Sequence, residues 1–191
     1  MLDRGAVVEA CRLDAPALAG SKAAAVRFDG VRVAGGTLAR SDLVNLTWID
    51  VVCERCDLSL VTWRGAKLTR VVVRGCRATG GKLVEAELES VRFVDCQLDY
   101  ASFADARLRQ VAFESCQLRE VSFHGADLAG AVLTECDLEG ADFTRAKLRG
   151  ADISASSAGG LTVGPGDVRG LIVNRAQAAE LAKVFGLVVK D

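Results

Sequence analysis

The sequence is poor in the residues and runs that would mark several common classes of protein. It has 2 prolines, 1 histidine and 5% aromatic residues, and its 24 Lys and Arg nearly balance 25 Asp and Glu. This balance disfavours direct binding of nucleic acid or of an anionic membrane through overall charge. The sequence has no run of about 18 consecutive apolar residues, so no membrane span is predicted. Its N-terminal segment lacks the pattern of a signal peptide. The seven cysteines therefore favour free thiols and a cytoplasmic location.

What the sequence has instead is an apolar residue at every fifth position. The series begins at Leu13 and continues to Ile153 without an insertion. The residue two places earlier is small or modest in size, as at Cys56 and Ala66. A period of five matches neither a helix nor a plain strand. It predicts short extended segments, each with two inward residues, that are joined by corners.

A second and longer period indicates how many segments form one coil. At every fourth repeat cysteine recurs from Cys56 to Cys136, and phenylalanine recurs from Phe103 to Phe143. Like residues stack if four segments close each coil, which predicts an all-β solenoid with a square cross-section. The predicted core includes Phe93, Phe103, Leu108, Phe113, Leu118 and Phe123.

Several segments carry the same five-residue motif. They are ADLAG at 126–130, CDLEG at 136–140, ADFTR at 141–145 and ADISA at 151–155. The chain thereby resembles the pentapeptide-repeat family, whose motif is A-(D/N)-L-x-x. The resemblance implies a right-handed quadrilateral parallel β-helix, which we place at residues 1–156.

A different pattern follows the repeats. Residues 157–173 are predicted to be a loop with degenerate last repeats, and residues 174–191 to be a C-terminal helix and tail. Asn174 is the expected N-cap, with Gln177 as its capping-box partner. The resemblance implies a two-fold homodimer through this helix, although a monomer with a folded-back cap is the alternative. The candidate cap and dimer residues are Leu181, Val184, Phe185 and Leu187.

No catalytic, cofactor-binding or metal-binding residue is predicted, and an enzyme is not expected. Cys53 and Cys56 form a lone C-x-x-C pair, whereas zinc usually takes four ligands. Both cysteines occupy inward positions, so we interpret them as core residues. The cysteines that recur at every fourth repeat are likewise interpreted as packing residues without disulfides. His124 follows a central residue and is expected at the surface.

The resemblance also suggests a function. The quinolone-resistance members of the family mimic DNA, bind DNA gyrase and protect it from inhibitors. On the face that contains Leu98 and Leu118 acids outnumber bases, whereas the face that contains Leu68 and Leu108 is mildly basic. We therefore expect a rigid, non-catalytic binding surface with DNA gyrase as its partner; the alternative is a generic scaffold for protein–protein interaction. The candidate partner-binding residues are Asp99, Glu120, Asp137 and Glu139.

Overall fold

The computed structural model describes residues 2–190, and almost all of its regular structure consists of very short parallel strands. Most strands have three residues, of which the middle one points inward. The strands are β1 (Val7–Glu9), β2 (Arg12–Asp14), β3 (Lys22–Ala24), β4 (Arg27–Asp29), β5 (Arg32–Ala34), β6 (Asp42–Val44), β7 (Thr47–Ile49), β8 (Val52–Glu54), β9 (Lys67–Arg74), β10 (Glu87–Val94), β11 (Arg107–Arg109), β12 (Ala112–Glu114) and β13 (Val132–Thr134).

Each strand pairs with the segment four repeats further along the chain. Leu88 in β10 pairs with Leu68 in β9 on one side and with Leu108 in β11 on the other. Isolated parallel bridges continue the same register, for example from Gln117 to Asp137. The predicted four-sided parallel solenoid is confirmed. We number its faces by their inward residues: face 1 contains Leu88 and Leu108, face 2 Phe93 and Phe113, face 3 Leu98 and Leu118, and face 4 Phe103 and Phe123.

The core is a column of inward side chains that runs along the solenoid. Every fifth residue from Phe28 to Ile153 is buried, whereas Leu13, Leu18 and Ala23 near the N-terminal end are only half-buried. The predicted core residues Phe93, Phe103, Leu108, Phe113, Leu118 and Phe123 are all buried.

The four-repeat register also stacks the aromatic rings of neighbouring coils. The ring of Phe123 lies nearly parallel to those of Phe103 and Phe143, with centroids 5.4 and 5.2 Å apart. Rings on opposite faces meet edge to face across the interior, as Phe113 of face 2 meets Phe123 of face 4 at 6.0 Å. Both arrangements are favourable for aromatic pairs, so the phenylalanine series packs the interior both along the solenoid and across it.

The corners adopt a left-handed backbone conformation, and glycine is not required for it. Positive φ angles occur at more residues of other types than at glycines. The corner amides donate hydrogen bonds to the next coil, as when Glu120 N donates to Glu139 O at 2.9 Å. These inter-coil bonds offset the strain of a left-handed residue. The corner conformation is therefore imposed by the stacked coils and leaves its side chains free to carry charge.

The chain ends in helix α1 (Arg175–Val184), which covers the end of the solenoid. Asn174 and Gln177 form a capping box. The buried Gln177 Nε2 also donates to Ile153 O at 2.9 Å and to Ser156 O at 2.7 Å. Carbonyl groups of the last coil have no further coil to bond to, and Gln177 supplies the donor that they need.

The side of α1 that packs on the solenoid consists of one polar and one apolar residue. Gln177 and Leu181 are buried, while Ala178 and Val184 are exposed. Val184 therefore does not pack on the last coil, because hydrogen bonding by Gln177 sets the rotation of the helix, and its candidate role in a dimer stays a prediction. Among residues 2–190, no helix is long and apolar enough to cross a membrane.

Candidate protein-binding surface

Acidic side chains are concentrated on faces 2 and 3 in the C-terminal half of the solenoid. The chain passes from face 2 to face 3 at corner residues such as Glu135, and the four-repeat register stacks face 3 residues such as Asp137 between Gln117 and Ser157. Only one basic residue, Arg119, lies on these two faces between Phe93 and Ile153. We call this region the acidic surface; its carboxylates belong to Asp95, Asp99, Glu114, Glu120, Glu135, Asp137, Glu139 and Asp152.

Two of these carboxylates are held by arginines. Arg92 donates to Glu114 at 2.8 Å, and Arg119 donates to Asp137 at 2.6 Å. The hydrogen bond from Arg92 lowers the pKa of Glu114. Desolvation opposes the same change at Asp137, but Arg119 and the backbone amide of Glu139 hold its pKa below the ordinary value. Both groups therefore stay charged at neutral pH.

The other six carboxylates have no Lys or Arg nitrogen within 4.0 Å among residues 2–190. Asp99 accepts a hydrogen bond from the backbone amide of Arg119 at 3.0 Å, and Glu135 accepts one from Ser115 Oγ at 2.9 Å. Glu120, Glu135 and Glu139 are exposed at the surface. Their charge is free to interact with a partner at little desolvation cost.

The same two faces are basic in the N-terminal half. Some of these bases are paired within the chain, as when Arg32 contacts Glu54 at 2.6 Å. The charge on faces 2 and 3 thus changes sign along the solenoid axis, from basic to acidic. The bases are Arg12, Arg32, Arg40, Arg55, Arg74, Arg77 and Arg92, against the acids Asp14, Glu54 and Asp57.

Half of the acidic surface was predicted from sequence. Asp99, Glu120, Asp137 and Glu139 lie together on face 3 as expected from the four-repeat period. The prediction missed the acids of face 2, because residues were grouped strictly by face. The missed acids are Asp95 and Glu135 at corners, which lie between two faces, and Glu114 and Asp152 on face 2 itself.

A separate apolar area lies at the C-terminal end. Leu181, Phe185 and Leu187 line an open cavity of about 310 Å³ together with Leu171 and Val173. Leu187 is 62% exposed and the following residue, Val188, is 85% exposed. Three of the four predicted cap or dimer residues therefore line this apolar area, and of these three Leu181 alone is buried; Val184 does not line it.

The remaining residues singled out from the sequence occupy two different environments. His124 is on the outside of face 4, where its Nδ1 lies 3.4 Å from Thr144 Oγ1. Cys53 and Cys56 are buried, and the next coil brings Cys76 beside them. Hydrogen bonds with the neighbouring thiols raise the pKa of Cys53 and lower that of Cys56.

Comparison with known proteins supports the assignment of the repeats. Residues 46–123 and 66–143, together just over half of the chain, match the family model described as a pentapeptide repeat region. No protein of curated function matches the sequence.

Solved structures with the same repeat have diverse descriptions. A trypsin-treated form of QnrB1, a plasmid-mediated fluoroquinolone resistance protein, is 21% identical over 98% of this chain and 99% of its own, with a TM-score of 0.36. HetL, involved in the regulation of heterocyst differentiation in Nostoc sp. strain PCC 7120, is 18% identical over 83% of this chain and 85% of its own, with a TM-score of 0.41. A pentapeptide-repeat protein of the Arabidopsis thaliana thylakoid lumen is 27% identical over 58% of this chain and 73% of its own, with a TM-score of 0.26.

Proposed function

Because the chain belongs to the pentapeptide-repeat family, we propose that it is a non-catalytic cytoplasmic protein that binds DNA gyrase through the acidic surface. The single observation that carries the proposal is the concentration of carboxylates on two adjoining faces. A solenoid holds these groups at fixed positions, so little conformational entropy is lost when a basic partner binds.

The charge density of the acidic surface is close to that of a DNA duplex. Its eight carboxylates, Arg119 and the Arg92 that holds Glu114 leave a net charge of −6. Asp95 and Asp152 are just under three coils apart, which corresponds to about 14 Å at the usual strand spacing. Duplex DNA carries one charge per about 1.7 Å, or about eight over that length. A protein surface that binds DNA phosphates would therefore meet an electrostatic field here that is comparable to that of duplex DNA.

Gyrase is the specific partner that the family resemblance suggests, since the quinolone-resistance members bind it in place of DNA. The mixed charge of faces 1 and 4 and the basic N-terminal half of faces 2 and 3 confine the DNA-like region to one part of the chain. The second candidate function is a generic interaction scaffold, which the same acidic surface would serve for another basic protein.

A supercoiling assay with purified gyrase tests the proposal. We expect the wild-type protein at micromolar concentration to inhibit supercoiling or to protect gyrase from a quinolone. The triple variant Glu120→Lys/Glu135→Lys/Glu139→Lys should weaken this effect at least about tenfold, because like charges then face the partner. The effect of the wild-type protein should also decrease as salt is added.

The matched control changes three exposed acids outside the acidic surface: Glu9→Lys/Glu89→Lys/Asp105→Lys. It alters the net charge by the same amount and should act like the wild type. Equal loss in both triple variants would show a non-specific charge effect. If the wild-type protein has no effect on gyrase, the generic scaffold becomes the better explanation, and a partner pull-down follows.

We further propose that two copies associate through the apolar area at the C-terminal end. Leu187 and Val188 are exposed beside Phe185, and burying them against a second copy would remove apolar surface from water. Because the acidic half of faces 2 and 3 is the C-terminal half, two-fold association would bring two acidic surfaces towards the same interface. The dimer would then present a longer DNA-like region than one chain.

Light scattering after size exclusion checks the dimer. We expect the wild type to have twice the 20.1 kDa mass of one chain. Leu187→Asp should give the single-chain mass, since it places a charge in the apolar interface. Val7→Asp is the control, because this exposed valine lies at the opposite end of the solenoid. A wild-type protein of single-chain mass would contradict the dimer and favour the folded-back cap.

A further inference from the structure

Three cysteine thiols meet inside the solenoid at a place that only the stacking of coils creates. Cys53 Sγ lies 3.9 Å from Cys76 Sγ, and the sulfurs of Cys53, Cys56 and Cys76 are all within 4.8 Å of one another. The three residues are 0–2% exposed. We call them the thiol cluster. The C-x-x-C pair alone supplies two sulfurs, and the residue four repeats after Cys56 supplies the third.

The other cysteines of the same stack lack this third sulfur. Cysteines that recur every 20 residues donate their thiol to the carbonyl of an inward residue 23 positions earlier. The bonds run from Cys76 to Cys53, from Cys96 to Val73 and from Cys116 to Phe93. Only for Cys76 is that earlier residue itself a cysteine. Ordinary core packing therefore explains Cys96, Cys116 and Cys136, which have apolar neighbours at this place, but does not require a thiol at Cys53.

We propose that the thiol cluster is a three-coordinate site for a soft cation, with Cu⁺ as the ion that it suits. Thiolate sulfur favours Cu⁺ among the common metal ions. With metal–sulfur bonds of roughly 2.3 Å, three sulfurs around a central ion stand about 4 Å apart, close to the separation of Cys53 and Cys76. Zn²⁺ fits less well because it takes four ligands, and the cluster has no fourth Cys, His, Asp or Glu among residues 2–190.

The site has a route from solvent and groups that offset its charge. A cavity of about 330 Å³ reaches Cys56 and Cys76 at the corner of faces 2 and 3, where Gly75 has no side chain to fill it. Arg55 and Arg77 also line this cavity. Binding one Cu⁺ releases three thiol protons to solvent and leaves the copper–thiolate group with two negative charges. The two guanidinium groups partly balance them.

One backbone amide contacts a sulfur of the thiol cluster. The amide of Cys56 donates a hydrogen bond to Cys76 Sγ at 3.3 Å. Asp57 and Asp95 line the same cavity as the two arginines, so its lining carries no net positive charge that would repel a cation. Formation of the site requires loss of the three thiol protons and contraction of sulfur separations of up to 4.8 Å to about 4 Å.

Anaerobic titration of the reduced full chain with Cu⁺, in competition with a chromogenic Cu⁺ chelator, tests the proposal. We expect one equivalent to bind and to raise the melting temperature. Cys53→Val should weaken binding by more than the roughly 10–100-fold that loss of an outer-sphere partner costs. Valine fits there, because Val33 and Val73 occupy the paired positions in the adjacent coils.

Cys116→Ser is the matched control. Ser156 occupies the same stack and donates to Leu133 O at 2.9 Å, so serine can keep the bond that the thiol makes. This variant should bind Cu⁺ like the wild type, and circular dichroism should show both variants folded. Equal Cu⁺ affinity in Cys53→Val, no binding by the wild type, or a preference for Zn²⁺ would each overturn the proposal.

Discussion

Leu108→Asp is expected to lower the free energy of unfolding by about 3–5 kcal/mol, because it places an unpaired carboxylate in the core. Leu108 is 1% exposed and lies between the equally buried Leu88 and Leu128 in the face 1 column. Neighbouring coils contact each other directly, so the damage spreads to the coils on both sides. The expected fall in melting temperature is roughly 10 °C for a chain of this length.

Arg109→Asp is the paired control, since Arg109 is the next residue and is exposed. It should change the melting temperature little. The buried carboxyl of Leu108→Asp should have a raised pKa in the folded state, so its penalty should be smaller near pH 4 than at pH 7. Thermal unfolding followed by circular dichroism at both pH values measures this. Similar melting temperatures for the two variants at pH 7 would refute the inward register.

Gly36→Ala is expected to destabilise the N-terminal coils by about 3 kcal/mol or more, through strain and overpacking together. Gly36 has φ +82°, and a Cβ there would lie 2.5 Å from both N and O of Pro16. These are backbone atoms of the preceding coil, which cannot move as a flexible side chain does. Relief would require separating the coils and losing the bond from Thr37 N to Pro16 O, now 2.8 Å.

Gly130→Ala separates this clash from the cost of the backbone angle. Gly130 has φ +73°, but a Cβ there would meet nothing within 4 Å. We expect Gly130→Ala to lower the free energy of unfolding by about 1 kcal/mol. Hydrogen exchange should show loss of protection around Pro16 and Thr37 in Gly36→Ala, while the coils around Phe123 stay protected. The packing argument would not survive equal destabilisation by the two substitutions.

The fold class and the inward register follow from the amino-acid sequence alone. An apolar residue at every fifth position admits few chain paths, and the recurrence of phenylalanine at Phe103, Phe123 and Phe143 specifies four segments per coil. Asn174 and Gln177 likewise specify a helix start by local hydrogen bonding alone, which needs no knowledge of distant residues.

The contacts between side chains across corners and between coils depend on the three-dimensional fold. The acids of face 2, such as Glu135, join those of face 3 only because the corner brings two faces together. The rotation of α1 depends on carbonyl groups of the last coil that bond to Gln177. Cys76 reaches Cys53 because the two lie on adjacent coils in space, although they are far apart along the chain. Such contacts depend on three-dimensional distance, which local patterns in the chain do not encode.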